Sequence, residues 1–285
     1  MVNFNKDNPL RVMTLASGYD SQCLALERLK EAFPPFDYEL VAWAEYDPES
    51  NYTTDKQPAV IAHNALFPQW ANRNYGDITK IDWGKVPDFD LLFQSTPCTD
   101  ISAAGLVKGF EKGSRTRSSI IWNVHDCVRI KRPRFICSEN VANILCSKHL
   151  PTLMVWLREL ERMGYVNFMP SAFDMPWNGG KTKDGCLNTK NYGIPQNRER
   201  WFCVSILRTE DNPEPSYHFP APIKLERCLA DILEEKVDES YFLSDEMLAR
   251  FCEKSMEEES PLSIPIDAMN HSDDEDDFEN FFVAQ

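Results

Sequence analysis

Short apolar runs alternate with stretches of helical periodicity along the first two-thirds of the chain. Strands are predicted at residues 11–15 (RVMTL), 40–44 (LVAWA), 89–93 (FDLLF), 134–137 (RFIC) and 200–207 (RWFCVSIL), and helices at 21–32 and 150–163. Strands that alternate with helices indicate a parallel sheet with right-handed crossovers. This alternation restricts the chain to the α/β class.

A polar or reactive residue follows four of these strands, just past the predicted C-terminal end: Gly18, Glu45, Cys98 and Glu139. The carboxyl ends of parallel strands meet at one edge of a sheet, and ligands of open α/β sheets bind in the crevice outside that edge. The sequence therefore predicts a single cleft in which these four positions lie together.

The formal net charge of −15 is unevenly distributed along the 285 residues. Residues 251–285 hold eleven acidic residues and one basic residue, a net charge of −10, which leaves −5 for residues 1–250. Between residues 108 and 134 the sign reverses, with eight basic residues against two acidic ones. That stretch is compatible with a phosphate contact, and it is equally compatible with a solvated surface.

Nine cysteines occur at irregular spacing, and no two of them form a C-x-x-C pair. This pattern argues against a disulfide framework and against a zinc site, so we expect reduced thiols and no metal. No apolar run approaches the roughly 18 residues that span a bilayer, and residues 1–12 lack the apolar core of a secretion signal. We therefore expect a cytoplasmic protein without a membrane partner.

Three short motifs place reactive side chains at or near strand ends. Cys98 follows Pro97 and is a candidate nucleophile, or else an inert buried thiol. Glu139 is a candidate ribose ligand, general acid or ordinary surface carboxylate. Arg198 and Arg200 lie two residues apart at the entry to the last predicted strand, where salt bridging is the alternative role.

Taken together and in this order, the motifs resemble those of the cytosine carbon-5 DNA methyltransferases of the bacterial Dcm type. The matching segments are residues 15–22 (LASGYDSQ), Glu45, residues 76–78 (GDI), Pro97-Cys98 with Ser102, Gly105 and Gly109, Glu139-Asn140-Val141, and residues 191–200 (NYGIPQNRER). The resemblance runs from about residue 11 to about residue 248. It implies a Rossmann-like class I S-adenosylmethionine-dependent methyltransferase fold with a mostly parallel sheet, incomplete at its C-terminal end.

The resemblance also implies an activity, methylation at carbon 5 of a cytosine that is flipped out of double-stranded DNA, with S-adenosylmethionine as the methyl donor. Cys98 would add to carbon 6 of the base as a thiolate. Glu139 would hydrogen-bond ring nitrogen 3 and the exocyclic amine, and Arg200 would bind the carbonyl oxygen with support from Arg198.

Two binding surfaces follow from the same resemblance. The methyl donor would contact the loop after the first strand and the next strand ends, through Ala16, Gly18, Tyr19, Asp20, Ser21, Glu45, Tyr46, Asp77 and Ile78. DNA would contact residues 99–119, through Ser102, Lys108, Lys112, Arg115 and Arg117. This segment would close over the flipped base.

The chain is expected to contain three regions. Residues 1–208 would form the catalytic domain, residues 209–250 a connector with the start of a truncated recognition region, and residues 251–285 an acidic tail that is disordered or docks on a partner. Short helices are predicted at 225–233 and 244–251. Because no match to the family's two late motifs follows Arg200, a second subunit is expected to supply them with the recognition domain, in a restriction–modification or phage setting.

Two other interpretations stay open. Ala16 stands where the family usually has phenylalanine, and Asp20 stands where it has glycine. With the missing late motifs, these departures favour a non-catalytic, truncated homologue that acts by protein binding. A further interpretation keeps the chemistry and replaces DNA by RNA, because one branch of the family methylates tRNA.

Overall fold

The computed structural model describes residues 4–102, 108–170 and 185–250. Gly105 of the nucleophile motif and the acidic tail 251–285 lie outside these residues. The chain divides into two compact units, residues 1–229 and residues 230–285. Every predicted catalytic, cofactor-binding and DNA-binding residue belongs to the first unit.

One sheet contains all the named strands of the described residues: β1 (Leu10–Leu15), β2 (Tyr38–Ala44), β3 (Leu91–Gln94), β4 (Phe135–Val141), β5 (Tyr165–Phe168), β6 (Cys186–Asn188) and β7 (Glu199–Leu207). The α-helices are α1 (Ser21–Ala32), α2 (Pro58–Leu66), α3 (Ile121–Lys131) and α4 (Leu150–Arg162). The strand order is β2-β1-β3-β4-β7-β5, and β6 pairs with β7.

Strand direction confirms the α/β class and a mostly parallel sheet. β1 pairs in parallel with β2 and β3, and β3 with β4. β7 is antiparallel to β4, β5 and β6, so among the described strands β7 alone runs against the common direction. The expectation that the strand at residues 200–207 also runs parallel to its neighbours is therefore wrong. β7 follows β6 through a short connection, and antiparallel neighbours need no crossover helix.

Helices cover both faces of the sheet, which makes a three-layer structure. Leu10 and Val12 of β1 pack in one core with side chains of α1 and α2, whereas Met13 and Leu15 pack in the other core with side chains of α3 and α4. A strand that is buried on both faces needs apolar residues at successive positions. This requirement explains why the first strand was recognisable as a continuous apolar run.

The fourth strand is longer than its apolar run predicted. β4 continues to Val141, because β7 pairs with it from Phe135 through Val141. Glu139 therefore lies within the strand, opposite Phe202, and its predicted position past a strand end is wrong. A side chain on a paired strand is held more firmly than one on a loop, which matters for the site described below.

Little regular structure occurs between residues 209 and 250. A predicted helix at 225–233 is wrong, since only a short 3-10 turn at Leu229–Ile232 forms there. The side chains of residues 224–233 are exposed, and a helix of that length is marginal without packing. The predicted helix at 244–251 is present over residues 245–250 of the described part. No helix in the described ranges is long and apolar enough to cross a bilayer.

Candidate active site

The loop between β1 and α1 is built from left-handed backbone. Ala16, Gly18 and Asp20 have φ angles of 51°, 66° and 62°. Glycine adopts this conformation freely, whereas alanine and aspartate do so with strain. The Ala16 amide donates to the carbonyl of Ala44 at 2.9 Å, so the loop starts while β1 is still held against β2. The loop is therefore a defined structure in which Gly18 is the least strained member.

A cavity of about 870 Å³ opens beside this loop at the carboxyl ends of β1, β2 and β3. Its lining includes five of the predicted cofactor-binding residues, namely Ala16, Glu45, Tyr46, Asp77 and Ile78. The remainder comes mainly from Ala44, Asp47, Pro58, Ser95, Pro97 and residues 115–123. A cleft thus opens at these strand ends with a volume in the usual range for small-molecule sites, but of the four positions predicted to share it only Glu45 is among its lining residues.

Glu45 is held at the end of β2 by the loop after β1. Its Oε2 accepts a hydrogen bond from the Gly18 amide at 2.8 Å. Burial raises the pKa of this carboxyl group, and the Gly18 bond opposes that shift only in part. A buried carboxylate that has one backbone donor can still accept hydrogen bonds from a ligand's hydroxyl groups.

Asp77 lies on the opposite wall, where it caps a 3-10 turn at Ile78–Lys80. Its Oδ1 accepts from the Thr79 amide at 2.9 Å and from the Thr79 hydroxyl at 2.7 Å, and the Lys80 ammonium lies 3.1 Å from Oδ2. Burial acts to raise the pKa of Asp77, but the Thr79 and Lys80 bonds outweigh it and the pKa is lowered. Asp77 is thus held ionised at the cavity wall.

A second cavity, of about 500 Å³, contains the other half of the predicted site. Its lining includes Tyr19, Ser21, Ser95, Glu139, Arg198 and Arg200. Ser95 lines both cavities, so the two spaces meet at this residue. Tyr19 and Ser21, which were predicted to bind the cofactor, line the second cavity and not the first.

Glu139 and Arg200 form an ion pair in the second cavity. The Arg200 Nε lies 3.2 Å from Glu139 Oε1, and each side chain is about one-fifth exposed. The Ser95 hydroxyl donates to the other oxygen, Oε2. The two residues are diagonal neighbours in the pairing of β4 with β7, since Glu139 pairs with Phe202 and Val141 pairs with Arg200. This carboxylate therefore has a fixed orientation before any ligand binds.

Cys98 lies on the turn after β3, and several side chains fix that turn. Ser118 donates to the Pro97 carbonyl at 2.6 Å and accepts from the Asp100 amide at 3.2 Å. The Asn140 amide group donates to the Thr96 carbonyl at 3.0 Å. Cys98 itself accepts at its carbonyl from the amides of residues 101 and 102. The nucleophile candidate is thus held by contacts on both sides of it.

Several thiols of the described part are less available than Cys98. Cys23, Cys127, Cys186 and Cys203 are fully buried, whereas Cys98, Cys137 and Cys146 are half-buried and Cys228 is exposed. Burial raises the pKa of Cys137 and of Cys203 to about 12. Thiols of that kind are protonated at neutral pH and react slowly. Burial and pKa thus disfavour five of these thiols as the nucleophile, and the motif selects Cys98 from the rest.

The basic segment does not present all its charges in the same way. Lys108, Lys112 and Arg115 are exposed, and Lys112 lies 5.4 Å from the ring centre of Trp122. Arg115 and Arg117 both line the first cavity, and Arg117 forms ion pairs of 3.0 Å with Asp47 and Glu49. Of the predicted DNA contacts, Arg117 is thus engaged with carboxylates at the cavity.

Two serines of the site were missed as functional residues. Ser95 touches Glu139 and both cavities, and Ser118 holds the Cys98 turn. The residues around Ser95 and Ser118 in the sequence do not distinguish either serine from its neighbours. Both contacts join residues 20 to 45 positions apart, so local sequence carries no signal for them.

Residues 4–102, 108–170 and 185–250 contain no group of three side chains suited to binding a metal ion. Comparison with known proteins then gives the family. The model for "C-5 cytosine-specific DNA methylase" matches residues 10–279. The chain belongs to the C-5 cytosine-specific DNA methylase family. The resemblance found in the motifs is thereby confirmed.

Two methylase relatives show how much of the family's length is present. The type II methyltransferase M2.ScrFI of Lactococcus lactis subsp. cremoris is 38% identical over 178 residues, which is 62% of this chain and 44% of that protein. The orphan methyltransferase M.Rho11sI of Bacillus phage rho11s is 30% identical over 271 residues, 86% of this chain and 48% of that protein. The chain thus spans about half the length of these relatives.

Solved structures share the methylase fold at lower identity. The S. pombe Dnmt2 methyltransferase superposes with a TM-score of 0.54 at 19% identity, over 86% of this chain and 66% of that one. The Entamoeba histolytica methyltransferase EhMeth gives a TM-score of 0.55 at 15% identity, over 84% of this chain and 64% of that one. The predicted Rossmann-like methyltransferase fold is therefore confirmed.

Proposed function

We propose that this chain is the catalytic part of a DNA cytosine carbon-5 methyltransferase. The observation that carries the proposal is the joining of two cavities at Ser95, one lined by Glu45 and Asp77, the other by the Glu139–Arg200 pair. Cys98 follows Ser95 by three residues on the same turn. A donor site, a base site and a nucleophile are thus adjacent, as methyl transfer to an activated ring requires.

S-Adenosylmethionine is the methyl donor that the family implies, and the first cavity suits it chemically. Glu45 and Asp77 offer carboxylate acceptors for ribose hydroxyls and an adenine amine, while Ala16, Pro58 and Ile78 offer apolar surface. When bound, the donor supplies an electrophilic methyl group. We propose that Glu45, Tyr46, Asp77 and Ile78 hold it, with the backbone of residues 16–18.

The side chains of the second cavity, together with Cys98 on the turn after β3, provide for activation of a cytosine ring; Cys98 is not among the lining residues of either cavity. Cys98 Sγ, as a thiolate, forms a bond to carbon 6. A proton shared with Glu139 at ring nitrogen 3 neutralises the negative charge that this addition places on the ring, and Arg200 stabilises the carbonyl oxygen. Carbon 5 then carries the electron pair that accepts the methyl group. Loss of the carbon-5 proton to a base expels the Cys98 thiolate and restores the ring.

We propose double-stranded DNA as the substrate and a second subunit as the source of sequence recognition. Exposed Lys108, Lys112 and Arg115 are available for phosphate contacts, and the chain spans about half the length of its relatives. The relatives M2.ScrFI and M.Rho11sI come from a bacterium and a phage, which supports a bacterial cytoplasmic setting.

One argument for a non-catalytic homologue is weakened. A charge at position 20 near the donor's carboxylate would oppose binding. The Asp20 side chain is fully buried and accepts a hydrogen bond from Thr14 at 3.0 Å, on the inner side of the loop. Its charge is thus paired within the protein rather than directed to the first cavity.

The proposal is tested first by calorimetry of S-adenosylmethionine binding, for the chain alone and together with any neighbouring gene product that carries a recognition domain. Transfer of labelled methyl groups to duplex DNA and to RNA then identifies the substrate. We expect Cys98→Ser to abolish transfer while donor affinity and melting temperature stay unchanged. Methyl transfer that persists in Cys98→Ser, or absence of donor binding in every combination, would overturn the proposal.

A further inference from the structure

A charged residue is completely buried beneath the loop after β1. Asp20 has no exposed surface, and its Oδ2 accepts from the Thr14 hydroxyl at 3.0 Å. Its Oδ1 accepts from the Ser17 hydroxyl. Asp20 also starts α1 with a left-handed φ of 62°, yet its side chain makes no capping bond to the helix. The carboxylate therefore binds the loop and β1 instead of the helix that it precedes.

The partner that faces this carboxylate comes from another element. His63 on α2 is fully buried, and its Nε2 lies 3.2 Å from Asp20 Oδ2. The contact is a close approach rather than an aligned hydrogen bond, since Nε2 has no hydrogen-bond partner among the described residues. The imidazole ring stacks on Trp43 of β2, with ring centres 3.6 Å apart and planes inclined by 22°. The stack places the ring beside the Asp20 carboxylate.

The loop that contains Asp20 also borders the first cavity, where the methyl donor is proposed to bind. Within it, the Gly18 amide binds Glu45 at 2.8 Å, and the Asp20 amide donates to the Ser17 carbonyl at 3.2 Å. A buried carboxylate without a compensating partner is strongly unfavourable. If His63 were lost, Asp20 would turn towards water and the strained residues between it and β1 would move with it.

We infer that His63 is a positioning residue, which fixes the loop of residues 16–20 for the methyl donor by pairing with Asp20. The inference rests on the proposed function for the identity of the ligand. The structural part, that His63 orders the loop, is independent of any ligand. His63 itself does not line the first cavity, whereas Pro58 and Ala59 at the start of α2 do, so exchange at residues 16–20 is the measurement that separates an effect through Asp20 from one through α2.

The test compares three proteins with the wild type. His63→Leu removes the polar nitrogen, and His63→Gln retains an N–H donor at a similar reach. His125→Leu is the matched control, because His125 also lies 3.5 Å from a carboxylate, that of Glu159, and is near two tryptophan rings. Hydrogen exchange of the amides of residues 16–20 is measured without ligand, and S-adenosylmethionine affinity by calorimetry.

We expect His63→Leu to speed exchange at residues 16–20 by about tenfold or more and to weaken donor binding on the order of tenfold. His63→Gln should restore most of both, and His125→Leu should change neither. Unchanged exchange in a folded His63→Leu protein would overturn the inference, as would a failure of His63→Gln to differ from His63→Leu.

If His63→Leu does not fold, Asp20→Gly with His63→Leu replaces it. That double variant removes both polar side chains, and glycine suits the left-handed backbone at position 20. It should fold and exchange rapidly at residues 16–19, and wild-type protection there would overturn the inference. Absence of donor binding to the wild type would refute the proposed function alone, since the exchange result still decides the role of His63.

Discussion

Ser118→Ala is the substitution that most directly tests how the Cys98 turn is held. Ser118 is 1% exposed, and its hydroxyl joins the Pro97 carbonyl to the Asp100 amide on either side of Cys98. Alanine keeps the backbone bond from the Ser118 amide to Asp100 Oδ2 and removes only the hydroxyl. The variant therefore isolates two hydrogen bonds without changing the volume of the core.

The expected loss of stability follows from the two groups that are left without a partner, the buried Asp100 amide and the partly buried Pro97 carbonyl. A fully buried unsatisfied polar group costs about 1–3 kcal/mol and a partly buried one lies at the low end of that range, so the free energy of unfolding should fall by about 2–4 kcal/mol. For a domain of this size the melting temperature should decrease by roughly 5–10 °C. The turn would also hold Cys98 less firmly, so the methyl-transfer rate should fall more than donor affinity does.

Differential scanning calorimetry measures the first effect, and single-turnover methyl transfer the second. Ser114→Ala is the matched control, since it removes an exposed hydroxyl of the same segment that contacts only the Thr116 hydroxyl at 3.0 Å. The control should change stability by less than about 0.5 kcal/mol. If Ser118→Ala melts at the same temperature as Ser114→Ala, the account of the turn is wrong.

Three further predictions concern the two cavities. Glu139→Gln should slow methyl transfer by about 100-fold or more with little change in donor affinity, and equal losses of both by calorimetry and rate assay would make Glu139 structural. Because burial raises the pKa of Glu45, the affinity for S-adenosylmethionine should begin to fall on acidification at a higher pH than it would if this glutamate were exposed. The affinity of Glu45→Gln should not depend on pH in this range, which makes that variant the reference. Arg117→Ala removes a positive charge that lowers the Glu45 pKa, so the loss of donor affinity on acidification should begin at a still higher pH. The salt dependence of DNA binding should stay unchanged. A weaker dependence on salt would instead identify Arg117 as a phosphate contact.

The fold was largely predictable because its strands are buried on both faces. Apolar runs located the first four strands within a few residues, and the predicted helix at 21–32 coincides with α1. The end of β4 was not predictable, because Glu139-Asn140-Val141 is extended by pairing with β7 rather than by its own side chains. The direction of β7 was not predictable either, because it depends on pairing with strands that lie far from β7 in sequence.

The candidate site was predictable at the level of residue type but not of contact. Motif order identified Cys98, Glu139, Arg200, Glu45 and Asp77, and the structure places four of these at one of two adjoining cavities. The separation of Tyr19 and Ser21 from Ala16 was not visible in sequence, since all three lie within residues 16–21. Which cavity a loop residue faces depends on backbone angles that its neighbours impose.

The sequence alone was enough to assign the α/β class and the methylase family and to predict candidate reactive residues, because apolar periodicity and motif spacing are local properties. Only the tertiary structure decided which residues the charged side chains contact. Asp20 turns inward to His63, and Arg117 turns to Asp47 and Glu49. Each of these pairs joins residues some 40 to 70 positions apart, and a charge's partner is set by the packing that brings two segments together.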